Sequence, residues 1–382
     1  MTASSPDEWS TEQPELPVEE QLPRAFGRYL LLARIAQGGM GELYLARRGD
    51  LDDEHRDDLH VVKKLRAEHT RDREYVARFV DEARLVVQLS HPNICQVVDV
   101  GRVKDEYFLT MEYIAGRDVR DLQTRLRDDG GTLETGDALL IVSDVLKALE
   151  YAHHRTHAAT GELLHLVHRD VSPQNVMVSF TGEVKLIDFG LASSRLKLER
   201  TQPNVVMGKM AYMSPEQARG DTIDKRTDVF AAGVLAYELL VGERFYETMT
   251  SHEIWNVVGR GGFRPRHWEH LDERVAEVLS RALEADIALR YPSAGDFRAD
   301  LDALLHASFG GRNEERLGRF MRGVYGADVR RERALVRGFD ALRGSVVRDL
   351  LEGTSPHGIS LASSMERPAV HRQGDESTPG QE

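Results

Sequence analysis

The spacing of apolar residues changes near Gly116, and this change limits the folds open to the chain. Before that point the apolar residues form short runs that predict strands, as in 29–46. After it they recur mostly at helical spacing, as in 138–153 and 229–240. We therefore expect an α+β protein with a β-rich first part and a helix-rich second part. The other predicted elements are a helix at 75–89 and strands at 61–65, 108–113, 164–167, 176–178 and 184–187.

Composition places both termini outside the ordered region. Residues 1–25 contain four prolines, an excess of acidic side chains and few apolar residues, which predicts a disordered arm. The ordered domain is expected over 26–305. The stretch 353–382 is rich in Ser, Thr, Pro and Gly, and this composition predicts a disordered tail.

Residues 306–352, between the domain and the tail, predict a helical extension. Its apolar residues repeat every three or four positions, which would form an apolar stripe along each of two helices. An exposed stripe of this kind calls for a partner surface. We therefore expect the extension to dock on the helix-rich part or on another molecule, including a second copy of the chain. The two patterns are Leu317, Phe320, Met321 and Val324, then Leu335, Phe339, Leu342, Val346 and Leu350.

The bulk composition excludes several classes of protein. With 382 residues, 41% of them apolar and 30% charged, the chain has the composition of an ordinary soluble globular protein. Its net charge of −13 argues against nucleic acid as a partner. No apolar run approaches the ~20 residues that cross a bilayer, and no secretory signal is visible. We therefore expect a cytoplasmic protein with no membrane partner. The single cysteine, Cys95, predicts a buried thiol.

A glycine-rich turn lies between the first two predicted strands, where the sequence reads Gly38-Gly39-Met40-Gly41. Glycine lets backbone N–H groups approach phosphate oxygens closely, so this turn could hold a nucleotide. By itself the turn would fit an ordinary hairpin equally well. Only other motifs in the chain can decide between a nucleotide-binding turn and an ordinary hairpin turn.

A lysine in the strand 61–65 is the second candidate for phosphate binding. The strand period of two puts Val61, Lys63 and Leu65 on one face. A lysine between apolar neighbours needs a partner for its charge. Glu82, on the predicted helix 75–89, is the candidate partner. Taken alone, the pair would also fit a coincidence of two surface charges.

The stretch 168–175 carries the most specific signal, because it reads His-Arg-Asp-Val-Ser-Pro-Gln-Asn and is followed by Asp188-Phe189-Gly190. Asp170 supplies a carboxylate that can accept or orient the proton of a substrate hydroxyl. Asn175 and Asp188 supply hard oxygen ligands of the kind that magnesium prefers.

Together these motifs make the chain resemble the eukaryotic-type (Hanks-type) serine/threonine protein kinases that bacteria also carry. The resemblance covers about 29–305, with the motifs in the family order. It implies a bilobal fold in which ATP lies between a β-rich and a helical lobe. It also implies Mg²⁺ as a second cofactor, transfer of the γ-phosphoryl group of ATP to Ser or Thr hydroxyls of protein substrates, and a role in signalling.

The resemblance assigns roles to individual residues. Lys63 holds the α- and β-phosphates with Glu82 as its ion-pair partner, and both count as catalytic with Asp170. Asn175 and Asp188 bind magnesium. The residues expected to contact the nucleotide are Ala36, Gly38, Gly39, Gly41, Leu43, Val61, Lys63, Met111, Glu112, Ile114 and Met177.

Other positions resemble parts of the kinase scaffold. Val86, His168 and Phe189 correspond to an apolar stack that assembles in the active state. Asp228 corresponds to the acid that braces the catalytic loop through backbone N–H groups. The platform for a peptide reads Tyr-Met-Ser-Pro-Glu over 212–216, with Ser214 where many relatives carry alanine and Glu216 expected to pair with Arg290.

Four positions depart from the family pattern. Ala36 replaces the first glycine of the phosphate turn, and Val61 replaces an alanine above the adenine ring. Ser172 replaces the catalytic-loop lysine, while Lys209 replaces the threonine that follows the platform glycine, Gly208. We expect Lys209 to act as a catalytic residue that supplies the charge missing at 172. The departures at 36, 61 and 172 also motivate an alternative, a pseudokinase scaffold that recruits partners.

A third alternative keeps the fold but phosphorylates a small molecule. The platform at 214–216 and the long segment 191–213 favour a protein substrate over that alternative. Arg169 can bind a phosphate on this segment, which predicts autophosphorylation, at Thr201 in preference to Ser193 or Ser194. The histidines at 153, 154, 157 and 165 are expected to be solvated or capping residues, since no cysteine or acid completes a metal site.

Overall fold

The computed structural model describes residues 22–38, 41–49, 59–65, 73–157, 159–189, 210–340 and 358–360. Its first part is an antiparallel sheet with one helix, α1 (Arg73–Val87), packed against it. Its strands are β1 (Arg24–Phe26), β2 (Tyr29–Gly38), β3 (Gly41–Arg48), β4 (Leu59–Leu65), β5 (Val97–Val103), β6 (Glu106–Glu112) and β10 (Gly358–Ser360). Among the described residues the order of strands in the sheet is β1-β2-β3-β4-β6-β5-β10.

The second part is mostly helical and contains a small antiparallel sheet of β7 (Gly116–Asp118), β8 (Val176–Ser179) and β9 (Val184–Leu186). No described helix is both long and apolar enough to cross a membrane. The helices are α2 (Val119–Asp129), α3 (Thr135–His153), α4 (Pro215–Arg219), α5 (Arg226–Val241), α6 (Ser251–Arg260), α7 (Glu273–Ala282), α8 (Ala294–Ser308), α9 (Glu314–Val324) and α10 (Gly326–Asp340). The predicted β-rich first part and helix-rich second part are confirmed.

Helices α3 and α5 form the centre of the helical lobe. Both are apolar around most of their circumference, and helices of that kind are buried on all sides. They pack against each other, and α8 packs against both. As a result, the end of α3 at His153 and the start of α5 at Asp228 meet in the protein interior, directly behind the segment 168–175.

Strand register brings four predicted site residues to one face of the main sheet. Leu43 of β3 lies opposite Lys63 of β4, and Val61 of β4 lies opposite Met111 of β6. Directly opposite residues point to the same side of a sheet, and the period of two puts Val61 and Lys63 on one side. The predicted common face of β4 is therefore confirmed, and it extends across the neighbouring strands.

Two predicted boundaries of order are wrong at the sheet edges. Order begins before Phe26, because β1 starts at Arg24 and pairs with β2. The predicted disordered tail contains β10, in which Gly358, Ile359 and Ser360 pair with the outer side of β5. The edge of β5 offers free backbone hydrogen-bonding groups, and a short segment of almost any composition can satisfy them.

The predicted strand 164–167 is also wrong. Its first residue, Leu164, donates its N–H to the carbonyl of Arg155 in a local hairpin loop. Just beyond 167, the N–H of His168 donates to the Asp228 carboxylate instead of to a neighbouring strand. The run is partly buried, but His165 within it has a left-handed φ of 48°, and the run has no strand ladder among the described residues.

The helical extension docks on the helical lobe, which was the first of the two predicted partner surfaces. Leu317 and Met321 of α9 are fully buried. At Gly318, a Cβ would lie 2.5 Å from the carbonyl oxygen of Thr181, and at Gly182 it would lie 1.9 Å from that of Glu314. Helix α9 and the turn between β8 and β9 therefore meet backbone to backbone, at a distance that only glycine permits. Self-association through the extension stays a prediction.

The second helix of the extension differs from its predicted pattern. Helix α10 begins at Gly326, before the first apolar residue of the pattern, and Leu335 is 44% exposed. Phe339 packs against the main sheet instead of against the helical lobe. The remaining residues of the pattern, Leu342, Val346 and Leu350, lie outside the described residues.

Candidate active site

The glycine-rich turn joins β2 and β3, and Gly38 pairs with Gly41 across it. A Cβ on Gly41 would lie 1.9 Å from the carbonyl oxygen of Lys64, so only glycine fits where the turn crosses β4. Ala36 lies in β2 and is exposed. Gly39 and Met40 are outside the described residues. The substitution at 36 thus leaves the pairing that closes the turn in place.

Lys63 and Asp188 meet between the lobes. The Lys63 Nζ lies 2.9 Å from both carboxylate oxygens of Asp188. Their side chains are only 10% and 12% exposed, so the pair is largely removed from water. Glu82 lies on α1, but its side chain is outside the described part of the structure. The Lys63–Glu82 ion pair therefore stays a prediction.

Asn175 fixes the orientation of Asp170. The catalytic loop closes with a single 3₁₀ turn at Pro173–Asn175, which points the Asn175 side chain back along the loop. Its Nδ2 donates to the Asp170 carbonyl at 2.7 Å and to the Asp170 Oδ2 at 3.0 Å. Ser172 is buried and its hydroxyl donates to the same carbonyl at 3.4 Å, so position 172 contributes no charge to the site.

The donor set suits a divalent cation. Because the Asn175 nitrogen is engaged with Asp170, the amide oxygen is the atom left for a ligand. The Asp188 carboxylate, beside Lys63, adds a second hard oxygen donor. Amide and carboxylate oxygens are the ligands that Mg²⁺ takes in proteins. These residues therefore fit the predicted metal.

The buried carboxylate of Asp228 holds the backbone of the catalytic loop, residues 168–175. Asp228 accepts the N–H of His168 at 2.8 Å and the N–H of Arg169 at 2.7 Å, as predicted. Burial alone would raise the pKa of Asp228, but the hydrogen bond and charge of His153 and the hydrogen bond from the His168 backbone N–H outweigh it, so the pKa lies below its usual value. Arg169 has φ of 66°, and such a left-handed conformation persists only where neighbours hold it.

His153 was assigned wrongly from the sequence. It is buried, and its Nε2 lies 2.8 Å from the Asp228 carboxylate. The other three histidines of the group, at 154, 157 and 165, are exposed as expected. The signal that could have identified His153 is its place at the end of the apolar pattern of α3, where a polar side chain needs a partner.

The predicted stack is present around Phe189. The rings of His168 and Phe189 meet edge to face with 4.6 Å between their centroids. Val86 and Phe189 line the same small cavity, together with Met111 and the buried Cys95. Burial raises the pKa of the Cys95 thiol, as expected for a cysteine with a packing role.

The protonation of His168 follows from its surroundings. Burial lowers the pKa of this imidazole, although nearby carboxylates act to raise it. Its Nδ1 accepts the Asp170 N–H at 3.3 Å, and its Nε2 donates to the carbonyl of Ile187 at 3.1 Å. The neutral ring therefore links the loop that carries Asp170 to the segment that carries Asp188.

The connection between the lobes, residues 112–115, forms the remaining wall of the cleft. The Glu112 carboxylate binds Lys185 Nζ at 2.8 Å and the Gln96 N–H at 2.8 Å. The N–H of Ile114 has no protein acceptor among the described residues, so it remains available to a ligand. Met177 lies on β8 and is half-buried.

The platform segment is anchored by a buried ion pair. Arg290 donates to both oxygens of Glu216, at 2.7 and 3.1 Å, as the sequence predicted. Ser214 makes contacts that an alanine could not make. Its hydroxyl contacts Thr227 and accepts the Gln217 N–H in the first turn of α4. The other residues predicted for this region, Ser193, Ser194, Thr201 and Lys209, lie outside the described residues.

Comparison with known proteins agrees with this geometry. Residues 29–298 match the model of the protein kinase domain. The chain is 33% identical over 395 residues to the tyrosine-protein kinase MasK of Myxococcus xanthus, covering 97% of this chain and 60% of that protein. It is 32% identical to the serine/threonine-protein kinase PrkC of Bacillus subtilis, covering 74% of this chain and 41% of PrkC. It is also 36% identical to PknB of Mycobacterium leprae, over 73% of this chain and 43% of PknB.

The solved structures agree as well. The PknI kinase domain of Mycobacterium tuberculosis superposes with a TM-score of 0.56 and 26% identity, over 74% of this chain and 98% of that domain. The chain spans only 41% to 60% of the length of the curated relatives named above. The shared bilobal fold and the match over 29–298 lead to one conclusion: the chain belongs to the protein kinase family.

Proposed function

We propose that the chain transfers the γ-phosphoryl group of ATP to serine and threonine hydroxyls of proteins, itself included. The observation that carries the proposal is the convergence at one cleft of the Lys63–Asp188 pair and the Asp170–Asn175 pair. The names of PrkC and PknB as serine/threonine-protein kinases add support. In the described part of the site Lys63, Asp170, Asn175 and Asp188 are all in place, and PrkC and PknB are named kinases, so the alternative of a pseudokinase scaffold gains no support there.

Each residue of the convergence has a role in the proposal. Lys63, with Glu82, binds the α- and β-phosphates, and Asp170 orients the substrate hydroxyl for attack. Asn175 and Asp188 hold Mg²⁺, which when bound neutralises charge on the phosphate oxygens. Catalysis then rests on the alignment of the hydroxyl with the phosphoryl group and on electrostatic stabilisation of the transition state, and little covalent chemistry is left to the protein.

The nucleotide base has a defined site in the proposal. The backbone of Glu112 and the free N–H of Ile114 hydrogen-bond adenine. The ring lies between the sheet face and β8, and the phosphates lie under the glycine-rich turn. The side chains around the nucleotide are those of Ala36, Leu43, Val61, Met111 and Met177, with the backbone of Gly38, Gly39 and Gly41.

A protein substrate is supported by the surface next to Asp170. A groove runs from Ser172 and Gln174 of the catalytic loop to Tyr212 of the platform. Its lining also includes residues of α2 and α6. The buried anchor of the platform, Glu216 with Arg290, keeps one wall of this groove rigid.

Tyrosine is the second candidate acceptor. The relative MasK, named a tyrosine-protein kinase, aligns over 97% of this chain, whereas the serine/threonine kinases PrkC and PknB align over 74% and 73%. The absence of a charge at Ser172 also departs from the serine/threonine pattern.

The test is phosphoryl transfer from labelled ATP with Mg²⁺ to a mixed protein acceptor, followed by analysis of the phosphorylated amino acids. We expect phosphoserine and phosphothreonine on the acceptor and on the kinase, and neither with Asp188→Ala. Phosphotyrosine alone would replace the proposed acceptor with the second candidate. ATP binding without any transfer would favour a scaffold.

A cation from another loop is expected to replace the one missing at Ser172. We propose that Lys209, on the platform side, reaches Asp170 and the transferring phosphate. Lys209→Ala should then lower kcat by about 10²-fold or more, as for other donors to a transition state, with a much smaller change in ATP affinity. The double variant Ser172→Lys with Lys209→Thr should regain activity. Near-normal kcat in Lys209→Ala would mean that the enzyme works without this charge.

A further inference from the structure

The start of α10 is fixed to the helical lobe. Tyr325, just before the helix, donates its hydroxyl to the Asp121 carboxylate of α2 at 2.8 Å. The ring of Tyr325 lies against that of Phe180, which follows β8. Arg322, at the end of α9, donates to the carbonyl of Phe180. These contacts all belong to the lobe that carries the catalytic loop.

The end of α10 is fixed to the other lobe. Phe339 packs against a small cluster of sheet residues that includes Leu30 and Leu45. Arg47 of β3 donates to the carbonyl of Phe339 at 2.9 Å. Further along the chain, β10 adds to the edge of the same sheet. The extension therefore crosses from one lobe to the other beside 112–115, as a second connection between them.

Glu332, midway along α10, contacts the connection between the lobes, residues 112–115, which we call the hinge. One of its carboxylate oxygens accepts the hydroxyl of Tyr113, and the other lies 3.3 Å from Nη1 of Arg117. Glu332 is only 13% exposed. Burial and the Glu332 carboxylate raise the pKa of Tyr113, so its hydroxyl stays a donor. The two contacts of Glu332, with Tyr113 in the hinge and with Arg117 in β7, lie on either side of Ile114 in the sequence.

We infer that Glu332 is a positioning residue for ATP binding, which fixes the hinge in the geometry that binds adenine. The inference rests on the proposed function, in which the backbone of Ile114 contacts the base. Holding Tyr113 and Arg117 restricts the backbone between them before the nucleotide arrives. A binding segment that is already ordered costs less to occupy, so the extension sets the affinity for ATP.

The test compares Glu332→Ala, Glu332→Gln and the unchanged full chain. Loss of the two contacts of the Glu332 carboxylate, with Tyr113 and with Arg117, predicts a rise of about tenfold in KM for ATP and in Kd for ADP. We expect kcat to change little, because Glu332 touches neither Lys63 nor Asp170. Glutamine keeps an acceptor for the Tyr113 hydroxyl, so its effect should be intermediate. The matched control is Glu315→Ala, which removes an exposed acid from α9.

A double-variant cycle separates positioning from general destabilisation. Tyr113→Phe combined with Glu332→Ala should raise KM no further than Glu332→Ala alone, because both remove the same contact. Unchanged KM and ADP affinity in Glu332→Ala and Glu332→Gln would overturn the inference, as would an equal fall in kcat. If the unchanged chain transfers no phosphate to protein, the proposed function fails instead, and ADP binding by calorimetry still reports on Glu332.

Discussion

Asp170→Asn is expected to lower kcat by about 10²–10⁴-fold, the range for loss of a positioned acid or base. The amide keeps the size of the side chain and an oxygen that can accept from Asn175 Nδ2, so the loop should hold its shape. It lacks the negative charge that orients the hydroxyl and accepts its proton. Affinity for Mg²⁺ and ADP should change little, since Lys63 and Asp188 lie on the other side of the transferred group.

The measurement is kcat on a peptide together with the Kd for ADP and the melting temperature. Asp105→Asn is the matched control, because it makes the same chemical change at an exposed turn between β5 and β6. A variant that retains most of its kcat would exclude Asp170 from the role given to it. A large loss of ADP affinity would instead assign Asp170 to nucleotide binding.

The chemical centre could be predicted from sequence because its residues sit in short motifs. Asp170 and Asn175 lie on one loop, and their contact needs only the 3₁₀ turn between them. Lys63 and Asp188 are far apart in the chain, but each belongs to a motif whose chemistry requires phosphate and metal nearby. The long helices α3 and α5 were also predictable, since their apolar patterns are strong and continuous.

Contacts that depend on two distant elements could not be predicted in this way. His153 meets Asp228 only because α3 and α5 pack together, and Glu332 meets Tyr113 only because α10 crosses the hinge. In each of these pairs, neither residue lies in a sequence motif that predicts the other residue. The strand β10 forms because β5 has an open edge. That edge is a property of the folded sheet, and the sequence of residues 358–360 does not indicate it.

Arg290→Ala is expected to destabilise the protein by about 3–5 kcal/mol, the cost of leaving a buried charge without its partner. The Arg290 side chain is 0% exposed and Glu216 is 4% exposed. Arg290 also donates to the carbonyls of Arg226 and Glu284, so three acceptors lose their donor at once. The measurement is the free energy of unfolding in urea at pH 7. Arg274→Ala, at an exposed arginine of α7, provides the control.

Low pH should weaken the same ion pair, Glu216 with Arg290, in the unsubstituted protein and so lower its stability. Burial acts to raise the pKa of Glu216, but the hydrogen bonds and charge of Arg290 outweigh it, so the folded-state pKa lies below the ordinary value. A group with a depressed folded-state pKa stabilises the protein fully above its unfolded-state pKa, about 4.3 for glutamate, and loses that contribution as the pH falls through the folded-state value. The stability gap between the unsubstituted protein and Glu216→Gln should therefore be constant near neutral pH and narrow below about pH 4.3. A gap that stays constant into that acidic range would mean that the charge of Glu216 does not contribute to stability and that its hydrogen bonds alone hold the platform.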